Sequence, residues 1–111
     1  MNVSAVDLVL RVAAATVGAC ESPAASNAGP YVERVLAGVG LAKGLPWCAA
    51  FVYDVGAKAL GKAWPLPKTG GCAVLGDFGR TKGILRDAPA VGDVFLIYHP
   101  ELSRFAHTGF I

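Results

Sequence analysis

The chain has 111 residues, a length that suits one domain. It is 54% hydrophobic and only 16% charged, with a net charge of +2 and a mean hydropathy of +0.50, so it can build a substantial core for its size. No uncharged run approaches the roughly 18 apolar residues that a membrane-spanning helix requires, which leaves a globular domain with no membrane span.

Val3, Val6, Leu10, Ala13 and Val17 recur at helical spacing, so residues 4–18 read as a first helix, with Ser4 as its N-cap and Gly18 as its stop. Its end, "VGAC" at 17–20, imitates a lipoprotein signal in which Cys20 would carry the lipid. The stretch ahead of it lacks a basic start and holds Asp7 and Arg11 inside what ought to be unbroken apolar sequence. Charges four residues apart suit a folded amphipathic helix instead. With no clear signal peptide, a protein acting outside the cytoplasm would need another export route.

"ESPAASNAGP" at 21–30 is a loop by composition, closing on Gly29-Pro30. Pro30 opens a second helix through Val32, Val35 and Leu36 that stops at Gly38 and Gly40. A third helix, about 47–60, is apolar nearly all round and therefore central. Only Asp54 and Lys58 interrupt it, as a narrow wet stripe, and Gly61 ends it.

Residues 62–90 are rich in Gly, Pro and Lys, with a short helix around Cys72 to Phe78. Between Lys58 and Arg86 six basic residues face Asp77 alone, a local balance of +5 that leaves −3 for the remainder. Such a segment either meets an anionic partner, such as a wall polymer, or is simply solvated. Single-strand nucleic-acid binding needs a series of aromatics interleaved with the charges, and the segment has only Trp64 and Phe78, so no nucleic-acid partner is expected.

The tail changes period. "GDVFLIYH" at 92–99 has the continuous apolar run of a buried strand, "HPELSR" turns, and "FAHTGFI" at 105–111 is a second strand. On it Phe105, His107, Gly109 and Ile111 share one face by the period of two. Helices first and antiparallel strands after make an α+β domain spanning 1–111.

Cys20, Cys48 and Cys72 are odd in number and lack CxxC spacing, which argues against a disulfide framework or a zinc finger. A Cys20–Cys72 bridge that leaves Cys48 free stays open. Cys48 stands in the first turn of the third helix, after Pro46 and Trp47. There unpaired backbone N–H groups and the helix dipole favour thiolate over thiol, and the residue's own N–H supplies half of an oxyanion hole. Its base must be His99 or His107. His107 is the better placed, mid-strand between small residues, whereas His99 precedes Pro100 at a strand end. A helix cysteine and a distant strand histidine form the nucleophile–base logic of papain-like hydrolases.

The stretch "SNAGPYVERVLAGVGLAKGLPWCAAFV" at 26–52, with "AVGDVFLIYHPELSRFAHTGFI" at 90–111, resembles the CHAP-type cysteine hydrolases, a papain-like family of phage endolysins and bacterial wall-remodelling enzymes. The resemblance runs from about Glu21 to Ile111. It rests on Pro-Trp-Cys-Ala-Ala-Phe-Val, the Gly-Asp before the first strand, and His-Thr-Gly-Phe-Ile. It implies a papain-like fold with helices on an antiparallel sheet, Cys48 as nucleophile and His107 as general base, with no cofactor and no metal. The implied substrate is peptidoglycan, cleaved as an N-acetylmuramoyl-L-alanine amidase or as a stem-peptide or cross-bridge endopeptidase.

Around that pair several residues carry two readings each. Asn27 supplies a side-chain amide to the oxyanion, or turns the chain or caps the second helix. Glu21 is a buried partner for backbone or a substrate contact; Trp47 stacks on substrate or packs. Asp93 fixes the turn into the first strand. The family places a third polar residue on the strand after the histidine, and this chain has no residue at that motif position. The expectation is a C-terminally truncated domain whose sheet a further domain or a dimer partner completes. Beside the hydrolase stand two other functions. One is a non-catalytic module that binds wall or a partner; the other is a small metal site using Cys48, His107 and His99 or Asp93, whose spacings do not match zinc.

Overall fold

A computed structural model of the chain describes residues 4–111. Val3, counted above in the first helix's apolar spacing, lies outside the described residues. Four helices precede a two-stranded antiparallel sheet: α1 (Ala5–Ala14), α2 (Pro30–Ala37), α3 (Cys48–Leu60), α4 (Cys72–Lys82), β1 (Val94–His99) and β2 (Arg104–Phe110). The α+β order is as read from the sequence. Among the described residues no helix is long and apolar enough to cross a membrane.

Local chemistry accounts for the helix starts. The Ser4 hydroxyl accepts from the Asp7 N–H at 3.1 Å and caps α1, whose Asp7 and Arg11 lie at the dipole ends that favour them. The helix stops at Ala14, short of the expected 18, and turns carry the chain on. Gly29 rather than Asn27 is the N-cap of α2. Its φ of 113° and a Cβ position 2.9 Å from the Ser22 nitrogen both demand glycine. The Glu33 carboxylate reaches back to its N–H at 2.8 Å.

The core forms where α2 crosses α3. Val32, Val35 and Leu36 meet Ala50 there with essentially no exposure, flanked by Tyr31, Trp47 and Phe51. Helix α3 is central as its composition demands, packing against α1, α2, α4 and β2. Its wet stripe holds Asp54, which pairs with Arg34 of α2 at 3.1 Å, and the exposed Lys58.

Helix α4 runs four residues further than expected, to Lys82. Gly76 and Gly79 each cost about 1 kcal/mol in helix propensity, yet both are buried and give close approach. A Cβ on Gly76 would lie 2.2 Å from the Phe105 ring, so β2 docks on α4 only because that atom is missing. A left-handed Gly83 closes the helix.

The strands pair from Val94 with Phe110 through Ile97 with His107. Tyr98 then pairs with Phe105, so Ala106 is an extra residue on β2. This bulge corrects the sequence reading. An inserted residue reverses the alternation of faces, so Phe105 and His107 do not share a side. Phe105 joins Leu96 in the apolar cluster around Cys72 and Leu75, while His107 lies against Phe95. Asp93 does fix the entry to β1, accepting from the Ala90 N–H at 2.8 Å and pairing with Arg86. The six basic residues between Lys58 and Arg86 are all exposed, as solvated loop and helix charges are.

Candidate active site

Two helix starts converge on one point. Cys48 opens α3 and Cys72 opens α4, and their sulfurs lie 3.4 Å apart. Cys48 is half-buried on the wall of a cleft of about 570 Å³; Cys72 is 6% exposed and sits behind it among Ala49, Leu75, Leu66 and Phe105. Cys20 is exposed, and all three thiols are free. The structure therefore brings Cys72 to Cys48 and not to Cys20. The loops between helices set that pairing, and no spacing rule in the sequence encodes it.

The electrostatics favour a thiolate at Cys48. The Cys72 hydrogen bond is the largest influence, and the His107 imidazole, the Thr108 backbone and the charge of His107 add to it. Against the opposing effect of burial they push the Cys48 thiol down to about 5 from an ordinary 9.0. Cys72 moves the opposite way, raised by its bond to Cys48, by burial and by the Cys48 charge. Both shifts have the same cause, a hydrogen bond between the two sulfurs that stabilises one shared negative charge.

His107 stands on the bulged stretch of β2, opposite Ile97, with its ring 5.7 Å from that of Phe95. Next to it Thr108 is 3% exposed and donates its hydroxyl to the Phe95 carbonyl at 2.8 Å, locking the strand pair at the level of the histidine. Among the described residues no carboxylate or amide hydrogen-bonds the imidazole. His99, the alternative base, lies at the far end of β1 against Glu101, outside the cleft.

The remaining candidates line the same cleft with unequal roles. Glu21 accepts from the Trp47 indole N–H at 2.8 Å, and this bond and the backbone of Asn27, Ser26 and Ala25 hold its carboxyl below the usual range. It organises the 21–29 loop as a partner for indole and backbone. Trp47 packs edge-on between Tyr31 and Phe51, so most of its ring is core, with the remainder facing the cleft. Asn27 adopts φ of 53° and accepts from the Gly44 N–H through its carbonyl at 2.8 Å. It turns the chain, does not cap α2, and its side-chain amide makes no hydrogen bond among the described residues.

Aromatic rings of Tyr31, Phe51, Phe95 and Phe110 form the apolar walls. The first N–H groups of α3, that of Cys48 included, have no partner within the helix. Among the described residues no three His, Cys, Asp or Glu side chains converge as a metal site would require. What the arrangement can do chemically is nucleophilic attack by a thiolate with an imidazole at hand. Sequence reasoning missed Cys72 as the partner. The only signal for it was that both cysteines open a helix.

The molecule is an α+β domain with a cleft lined by Cys48 and His107. The chain matches no protein-family model, no curated protein and no solved structure.

Proposed function

We propose that this chain is a papain-like thiol hydrolase of the CHAP type that cleaves amide bonds in peptidoglycan. The observation that carries the reading is the Cys48 sulfur at the start of α3, on an open cleft that His107 also lines. The motifs around Cys48 and His107 supply the substrate class by resemblance. The Cys48 thiolate attacks the amide carbonyl, and the Cys48 backbone N–H receives the oxyanion, with the free amide of Asn27 on the same cleft as a second donor. His107 protonates the leaving amine, then takes a proton from the water that releases the acyl group. The aromatic walls hold the peptide stem in place.

The test is the clearing of purified cell-wall suspensions, with release of free amines read alongside. The wild-type chain is expected to clear walls, and Cys48→Ala and His107→Ala to lose at least about a hundredfold in rate. Free amines without new reducing ends mark amide cleavage. A wild-type chain that binds walls and releases nothing overturns the reading. That outcome is the second function, a wall-binding module without turnover. One observation favours it: among the described residues no carboxylate or amide hydrogen-bonds the His107 imidazole.

A further inference from the structure

The Cys48–Cys72 pair carries a chemistry that amide hydrolysis does not use. Its sulfurs are 3.4 Å apart, against about 2.05 Å in a disulfide. The remaining gap is about 1.4 Å. The two thiols are also unequal in access. Cys48 opens on the cleft, where a small oxidant reaches it, whereas Cys72 is buried behind and does not line the cleft. An accessible thiolate with a protected second thiol in contact is the arrangement of a peroxide-sensitive pair.

The geometry points to Cys48 and Cys72 as an oxidisable dithiol: a small hydroperoxide entering the cleft converts them to a disulfide, and a thiol reductant restores both. In the first step the Cys48 thiolate attacks the peroxide. An S–O bond forms, the O–O bond breaks, Cys48 becomes a sulfenic acid, and the departing alkoxide or hydroxide takes a proton from water. In the second step the Cys72 sulfur attacks the Cys48 sulfur. The S–S bond forms, and the sulfenic hydroxyl leaves with the Cys72 proton as water. The two sulfurs lose two electrons and the peroxide gains them.

Cys72 wins the second step by proximity. Cys20 is exposed, does not line the cleft and has no hydrogen bond to either sulfur among the described residues, so it is an internal control. The new bond staples the start of α3 to the start of α4, which are already packed together. Loss of hydrolysis on oxidation rests on the function proposed above; the disulfide itself does not.

The test treats the full reduced chain with a small excess of hydrogen peroxide. It is then alkylated under denaturing conditions, and the tryptic peptides are mapped without reduction. Lys58, Lys62 and Lys68 separate the two cysteines into different peptides, so a cross-link is unambiguous. The expected map has the Cys48 and Cys72 peptides joined, Cys20 alkylated, and complete reversal by dithiothreitol. In Cys72→Ala, checked for its fold by circular dichroism, the same treatment is expected to drive Cys48 to sulfinic acid, which dithiothreitol does not reverse. Wild-type Cys48 recovered as sulfinic acid, with Cys72 alkylated, overturns the proposal without recourse to any variant. The map uses no substrate, so a chain that cross-links yet clears no walls refutes only the hydrolase. A chain that clears walls yet over-oxidises refutes only the dithiol.

Discussion

Removing the buried thiol tests which neighbour sets the reactivity of Cys48. Papain-like logic assigns that role to the histidine, but here the Cys72 hydrogen bond is the largest single influence. Cys72→Ala is therefore expected to move the Cys48 inflection from about 5 toward 9.0 by more than His107→Ala does. At pH 6 a thiol titrating at about 5 is about nine-tenths thiolate, whereas one returned to 9.0 is about one part in a thousand. A more basic thiolate is also the better nucleophile. With a sensitivity of about 0.45 per pKa unit, a rise of about four restores a factor of about 60. Full reversion thus slows the reaction at pH 6 by on the order of tenfold, and Cys72→Ala removes the largest single cause of the shift. The assay is iodoacetamide alkylation from pH 4 to 9, resolved for each cysteine by peptide mass spectrometry. The sign is fixed by the anion: reactivity is present above the inflection and lost as pH falls through it. A Cys72→Ala inflection that stays at the wild-type position while His107→Ala moves it refutes the reasoning. So does a wild-type inflection near the ordinary thiol value.

Two further outcomes follow from the same geometry. Folded, the cysteine pair keeps one proton across the neutral range; unfolded, it holds two below 9.0 and none well above it. The pair's contribution to stability therefore rises from about pH 5 to about pH 9 and falls beyond, because Cys72 resists ionising in the fold. Urea melts of the reduced chain across that range, compared with Cys48→Ala, measure it; a variant with the wild-type pH dependence contradicts the shared proton. Gly76→Ala places a methyl 2.2 Å from the Phe105 ring and is expected to cost about 1–3 kcal/mol in thermal or urea unfolding. It also shifts β2, and with it His107, so the Cys48 inflection should rise; a change under about 0.5 kcal/mol would mean that Phe105 is not seated on α4.

Much of the frame was legible in residue order. Ser4, Pro30 and Gly61 mark helix ends by local hydrogen bonding and backbone freedom, and each does so in the structure. The apolar wrap of α3 predicted a central helix, and it is central. Gly76 and Gly79 weaken the local signal for the end of α4; their reason for being there is contact with Phe105, well along the chain, and with Leu85, just past the helix. The faces of β2 were misread because a bulge changes phase and no residue type announces it.

The candidate site divides the same way. A cysteine at a helix start and a histidine on a late strand carry their chemistry in sequence, because helix dipoles and unpaired N–H groups are local properties. That Cys48 and His107 meet at one cleft depends on how α3 packs against β2. That Glu21 holds the Trp47 indole depends on a contact across 26 residues. Above all, Cys72 lies 3.4 Å from Cys48 only because the first turns of α3 and α4 are brought together by the residues packed between them. By itself the sequence determined where each helix begins and which side chains are chemically capable. Which of those side chains touch, and hence where the proton of the thiol pair resides, was left to tertiary packing, since burial and proximity are properties of the folded chain alone.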